Sequence, residues 1–251
     1  MAAAARKRVE ISPDPSACAA GVCRWILDVL QTQPAVRIAL AGGTTPLGTY
    51  RQLAAALRDR PALLHKVTWY WTDERFRPAP PQHSNRDWAA RALFEHLPVE
   101  SSAIHAISSE DVSAEHAARS YEQQLRGKYR SITRDHSASL FTIVLLGMGT
   151  DGHTAALFPG TGALNEATKW VVATRTPEGD DRISLTLPAL SSADYVGFIV
   201  NGAAKRAALA HALCPGSEFP AALIRARKEV LWFVDQDAFG PGRPATLAPE
   251  P

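Results

Sequence analysis

The stretch FTIVLLGMGTDGHTAALFPG, residues 141–160, runs from an unbroken apolar segment into a glycine-rich turn carrying an acid, Asp151, and an imidazole, His153; a short apolar stretch closed by Pro159 and Gly160 follows. The apolar segment reads as a buried strand. In open α/β sheets ligands sit in the crevice outside the carboxyl ends of the strands, so a charged pair on a turn leaving such a strand marks a candidate active site.

Outward from that turn, apolar strand-like runs alternate with helical patterns. The strand-like runs are 36–41, 67–72, 140–146, 170–174, 182–187, 195–200 and 230–234. Residues 16–31 place Ala19, Val22, Cys23, Ile26, Val29 and Leu30 on one helical face, and 46–58, 85–96, 113–128 and 203–213 are further helix candidates. This alternation predicts an α/β fold, a mostly parallel sheet flanked by helices on both faces. No internal repeat or composition shift marks a second domain, so residues 1–239 read as one α/β domain. The tail GPGRPATLAPEP, 240–251, has no apolar periodicity and is expected to be disordered. RTPEGDD, 175–181, reads as a polar, mobile loop. In PAPPQHS, 78–84, the Pro-rich run yields to Ser84 and Asn85, either of which suits a helix N-cap.

The 251 residues are 46% hydrophobic and 21% charged, an ordinary globular composition, with 27 basic against 25 acidic residues. A net charge of +2 argues against nucleic acid or an anionic membrane as partner. Cys18, Cys23 and Cys214 are odd in number and not in CxxC spacing, so they read as reduced thiols of a cytoplasmic protein. No apolar h-region follows Arg6, Lys7 and Arg8, and no run approaches the ~20 residues needed to span a bilayer. The histidines show no HxxxH or HExxH spacing and there is no GxSxG elbow, so neither zinc nor an acyl-enzyme is expected.

Gly147, Gly149 and Gly152 match the G-x-G-x-x-G pattern of dinucleotide-binding folds. Asp151 would repel a pyrophosphate, however, and Pro159-Gly160 ends any helix within about two turns. The plain structural alternative is that Asp151 N-caps a short helix with His153 beside it. The functional one is that His153 accepts and returns a proton near neutrality while the neighbouring carboxylate orients it.

Three more features converge on this turn. In AGGTTPLGTY, 41–50, Gly42, Gly43, Thr44 and Thr45 offer backbone N–H groups, hydroxyls and a positive helix end, an anion site without a P-loop lysine. Thr45 as N-cap with Pro46 at the first helical position is compatible with it. In WTDERF, 71–76, the charged residues Asp73, Glu74 and Arg75 follow another strand and face the same crevice, or form a solvated ion pair. Arg182 opens the strand-like run RISLTL, and Lys205 lies just inside a helix after another strand. If they converge on the Gly42–Thr45 turn they make it a phosphate site.

The blocks AGGTTP, WTDERFRP…SNRDWA and LLGMGTDGHTAALFPG, followed by RISLTLPAL and NGAAK, resemble in that order the 6-phosphogluconolactonase family, over residues 8–238. The resemblance implies a hydrolase of the oxidative pentose phosphate pathway that needs no cofactor, and a Rossmann-like three-layer fold shared with glucosamine-6-phosphate deaminases. It implies His153 as the base that activates water and Asp151 as its orienting partner. Gly42, Gly43, Thr44, Thr45, Arg182 and Lys205 would bind the 6-phosphate, and Arg75 the sugar end or the oxyanion. Asp73 would organise its loop or bind substrate hydroxyls. Two departures stand out: RTPEGDDR occupies the place of a common Lys-Pro-Pro run, and the tail after Phe239 has no counterpart. The rivals are a sugar-phosphate deaminase/isomerase, whose pattern has Glu where this chain has Phe158, and a catalytically silent sugar-phosphate sensor, for which no DNA-binding appendage is found.

Overall fold

The computed structural model describes residues 6–78, 83–132 and 138–241. Seven strands form one sheet: β1 (Arg6–Ser12), β2 (Val36–Leu40), β3 (Val67–Trp71), β5 (Ile104–His105), β6 (Ile143–Leu146), β9 (Tyr195–Val200) and β10 (Glu229–Asp235). They lie in the order β1-β10-β9-β6-β2-β3-β5, and every pairing is parallel. β6 is buried along its whole length, and β9 and β10 at all but their first residue, so this sheet is covered on both faces. The helices are α1 (Pro15–Thr32), α2 (Leu47–Arg58), α3 (Pro61–Leu64), α4 (Asn85–Ala92), α5 (Ala114–Ile132), α6 (Leu187–Ser191), α7 (Arg206–Ala212), α8 (Pro220–Leu223) and α9 (Gln236–Phe239). Among the described residues no helix is long and apolar enough to cross a membrane.

Local chemistry sets the helix starts. Asp14 Oδ1 accepts from the Ala17 N–H at 2.8 Å and Pro15 opens α1, whose buried face is the one its periodicity predicts. Ser84, not Asn85, caps α4, accepting from the Asp87 N–H at 2.9 Å. α2 starts one residue later than expected, with Pro46 at the cap position and no side-chain cap.

The sheet departs from expectation at 170–174 and 182–187. These segments are β7 (Val171–Arg175) and β8 (Asp181–Leu185), and they form a separate antiparallel sheet with β4 (Asp73–Arg75), in the order β4-β8-β7. The reason is connection length: residues 176–180 are too few for a parallel crossover and close a hairpin instead, with Thr176 N–H on Asp180 O at 2.9 Å. The polar loop of the sequence reading is therefore the turn of that hairpin. β1 and β4 also lacked a strand signal. β1 is an edge strand that opens Arg-Lys-Arg, a charged edge that discourages pairing with other chains. The expected tail lies, beyond Pro241, outside the described residues, as do 79–82 of the Pro-rich loop.

No helix follows the Gly147–His153 turn. Residues 150–160 are turns joined by a single bridge between Thr154 and Leu157, with Ala155 at φ 49°. Asp151 therefore caps nothing.

Connectivity positions the site. From β2 the chain proceeds outward to β3 and β5, whereas from β6 it proceeds the other way to β9 and β10. Because β2 and β6 are neighbours, the turns that follow them diverge and leave a crevice at their carboxyl ends. Thr72 hands the chain from one sheet to the other: its N–H donates to Leu40 O at 3.0 Å, and its carbonyl accepts from Leu185 N–H at 2.8 Å. Side chains alternate along β4, which separates Glu74 from Asp73 and Arg75. Glu74 is fully buried and accepts from the N–H groups of Arg75 (2.8 Å), Asn85 (2.7 Å) and Arg86 (2.9 Å), pinning β4 to the start of α4.

Burial pushes the Glu74 carboxyl up to about 7 from an ordinary 4.5, against the pull of those three N–H groups. Between the two values the folded chain keeps a proton that the unfolded chain releases, so Glu74 makes stability fall as pH rises through that window and level off above it. In urea unfolding followed across that window, Glu74→Gln is expected to flatten the decline. Glu74→Ala, which orphans the buried N–H groups, is expected to cost roughly 3 kcal/mol.

Candidate active site

A cavity of about 440 Å³ opens at the divergence of β2 and β6. It is lined by Gly42, Gly43, Thr44 and Thr45 from the turn after β2, and by Asp73 and Arg75 of β4. His153, Arg182 and Lys205 complete the set expected from sequence. Asp151 does not line it; this acid stands behind the imidazole, toward solvent. The lining also includes Thr72, Asn85, Met148, Phe158, Thr176 and Glu178, none of them placed in the site from sequence.

In the turn after β6, Gly149 N–H donates to His153 O at 2.8 Å, and the Thr154 hydroxyl to Gly147 O at 2.8 Å. These bonds fold the turn back on itself. Asp151 Oδ1 then meets His153 Nδ1 at 2.6 Å and the His153 backbone N–H at 3.2 Å. A carboxylate at Nδ1 selects the tautomer with its proton there, which leaves Nε2 with a free lone pair. Partial burial works against ionisation of Asp151. The His153 N–H, the imidazole's charge and the Nδ1 bond outweigh it and hold the carboxyl below its ordinary value. Phe158 packs on the imidazole at 4.6 Å between centroids, an apolar wall on one side. A Cβ on Gly149 would overlap both His153 Nδ1 and Asp151 Oδ1, so only glycine there allows the pair to form.

The same cavity is lined by cations. Gly43 turns at φ 81°, and the N–H groups of Gly42 to Thr45 find no acceptor among the described residues. Arg75 and Arg182 are directly paired across β4 and β8. Two like charges opposite one another on a sheet repel. Burial lowers the Arg75 pKa, and the charge of Arg182 lowers it further. Each guanidinium is partly held: Arg75 Nη1 donates to His83 O at 2.7 Å and the group lies 4.6 Å from the Trp88 ring centroid, while Arg182 Nη2 reaches Asp180 Oδ2 at 3.4 Å. Lys205, at the N-cap of α7, has no ion pair among the described residues. Cations and N–H groups without an acceptor are the kind of donor set that an anion requires.

Asp73 also lines the cavity. Its Oδ2 accepts from Asn85 Nδ2 at 3.0 Å and its Oδ1 from the Thr72 hydroxyl at 2.9 Å. Burial raises its carboxyl's pKa, opposed by those hydrogen bonds and by the charges of Arg75 and His153. The Asn85 amide occupies the space a Cβ on Gly42 would fill, so this glycine serves side-chain packing as well as the anion turn. With Ser84 already capping α4, Asn85 is free for this task, and that redundancy was the signal available in the sequence.

The family model for glucosamine-6-phosphate isomerases/6-phosphogluconolactonase matches residues 15–232. The chain is 34% identical over 245 residues to a 6-phosphogluconolactonase of Nostoc sp., covering 93% of this chain and 97% of that protein. The crystal structure of 6-phosphogluconolactonase from Thermotoga maritima superposes with a TM-score of 0.76 at 26% identity, covering 92% of this chain and all of the other. A monomeric glucosamine-6-phosphate deaminase of the NagB superfamily shares the fold, with a TM-score of 0.77 at 21% identity over 92% of this chain and 98% of that one.

The facing arginines give a signed expectation. Inorganic phosphate should raise the thermal unfolding midpoint of the wild-type protein. Arg182→Gln should lose most of that gain while leaving the phosphate-free protein more stable by up to about 0.5 kcal/mol, as the cross-strand repulsion is relieved. Calorimetry with and without phosphate reads both.

Proposed function

Because the chain belongs to the glucosamine-6-phosphate isomerase/6-phosphogluconolactonase family, we propose that its cavity binds 6-phospho-D-glucono-1,5-lactone with His153 Nε2 as the base that activates water. The chain is an enzyme, a carboxylic ester hydrolase of the pentose phosphate pathway that converts this lactone to 6-phospho-D-gluconate. One observation carries the assignment of roles: the Nδ1-anchored imidazole and the cationic turn line one cavity, as a substrate with an ester at one end and a phosphate at the other requires.

His153 Nε2 takes a proton from water as the water oxygen bonds to C1, and the carbonyl electrons move onto oxygen. The tetrahedral alkoxide then collapses, the bond from C1 to the ring oxygen breaks, and the imidazolium returns its proton to that departing oxygen. The ionised Asp151 pairs with the imidazolium formed in between. A δ-lactone is already a reactive ester, so one base and fixed positioning suffice. Gly42 to Thr45, Arg182 and Lys205 hold the phosphate. Arg75 stands directly across from Arg182, which favours the phosphate over the oxyanion as its target. Asp73, organised by Asn85 and Thr72, receives substrate hydroxyls.

A deaminase or isomerase reading needs a carboxylate to move protons during ring opening. Phe158 instead lays an apolar ring on His153. Residues 1–239 are best taken as one domain, since a single core cluster runs from Cys18 to Ala238. A cytoplasmic setting fits the free thiols of Cys18, Cys23 and Cys214.

A coupled assay with chelator present should show hydrolysis well above the spontaneous background; a rate equal to background contradicts the proposal. His153→Ala should reduce kcat by roughly 10²- to 10⁴-fold with phosphate-induced stabilisation retained. Lys205→Ala should raise KM with little change in kcat. Gly149→Ala should keep the fold and lose roughly 100-fold in kcat, the cost of displacing the imidazole.

A further inference from the structure

Gly152, the residue between Asp151 and His153, sits at φ 81°, and a Cβ on it would overlap Cβ, Cγ and Cδ2 of Phe219. Phe219 immediately precedes Pro220, the first residue of α8, and the N–H of Ala221 donates to Gly152 O at 3.1 Å. The Gly152 peptide is therefore held by a ring on one side and a hydrogen bond on another, both from a segment distant in sequence. His211, near the end of α7, stacks on Phe219 at 4.1 Å between centroids and an interplanar angle of 29°, with its Nδ1 3.0 Å from Ser217 Oγ. α7 is the helix that Lys205 opens, so the clamp also ties the catalytic turn to the element carrying a phosphate-side cation.

We propose that Phe219 is a positioning residue for the reaction: with the Ala221 N–H it fixes the Gly152 peptide, and so the angle at which Asp151 meets His153 Nδ1 and Nε2 faces the cavity. The inference rests on the lactonase reading for its kinetic consequence, not for its geometry. Within the turn, the bonds from Gly149 to His153 and from Thr154 to Gly147 set its shape. The Gly152 N–H also donates to Gly149 O at 3.2 Å and the His153 N–H to Asp151 Oδ1 at 3.2 Å, but these bonds all lie within the turn and leave it unanchored to the rest of the fold, at a glycine whose backbone tolerates many conformations. The Phe219 ring and the Ala221 N–H supply that anchor from outside the turn.

Phe219→Ala is expected to lower kcat roughly 10- to 100-fold with KM within about two-fold of wild type, because the phosphate contacts are untouched. Phe219→Tyr, which keeps the ring on a partly exposed side chain, is expected to restore kcat. His211→Ala, on an exposed position, is expected to lower kcat in the same direction by a smaller factor, and it carries the kinetic test if Phe219→Ala fails to fold. Imidazole ¹⁵N spectra test the geometry independently of turnover: His153 should be protonated at Nδ1 in the wild type and a mixture of tautomers in Phe219→Ala, or shifted toward one in His211→Ala. Wild-type kcat in both alanine variants, a loss that Tyr does not restore, or unchanged His153 spectra overturn the proposal. A wild-type protein without lactonase activity overturns the functional reading instead, and the spectra still decide the positioning role.

Discussion

Two neighbouring parallel strands that send the chain in opposite directions are the constraint on which the site depends. β2 and β6 are hydrogen-bonded to one another, yet the connection from β2 travels toward β3 and that from β6 toward β9. The turns that leave their carboxyl ends diverge, and the cavity lined by both opens there. The two turns have opposite characters. One has N–H groups without an acceptor among the described residues, and the other carries a carboxylate-anchored imidazole.

The second sheet completes what the first begins. β4 leaves β3 at Thr72 and pairs with β8, which sets Arg75 opposite Arg182. In a protein selected for stability alone this pairing is a defect, because like charges across a ladder repel. Here it concentrates cationic charge at the cavity. The buried Glu74 carboxylate, on the opposite face of β4, ties the same strand to α4 through backbone N–H groups. The position of Asn85, and through it Asp73, follows from that bond.

Most of the fold was legible in the sequence because burial leaves a periodic trace. Ala19, Val22, Cys23, Ile26, Val29 and Leu30 were read as one face of a helix, and all are buried in α1. The signal failed where packing is one-sided or where short-range chemistry dominates. β1 is an edge strand beginning Arg-Lys-Arg, and β4 is three charged residues that only their partner β8 makes a strand. β7 and β8 carried a correct strand signal but no information about which sheet they join; the short connection held it. At the site, the residue types on the two turns and in β4 pointed to the cavity, since each follows an apolar run. Asp151, expected to orient His153, meets its Nδ1 although it does not line the cavity. Glu74, expected at the crevice, is instead buried on the other face of β4, and Phe219 was beyond reach because it acts on Gly152, far away in the chain.

The central claim is that the phosphate and the reacting carbon lie at opposite sides of one cavity, the first against the Gly42–Thr45 turn with Arg182 and Lys205, the second against His153 Nε2. A crystal structure of the protein with 6-phospho-D-gluconate tests it most directly. The account predicts the phosphate bound by the Gly42–Thr45 N–H groups with Arg182 and Lys205, and the C1 carboxylate within hydrogen-bonding distance of His153 Nε2. A phosphate bound at His153, or a C1 carboxylate lying against Arg182, would contradict it.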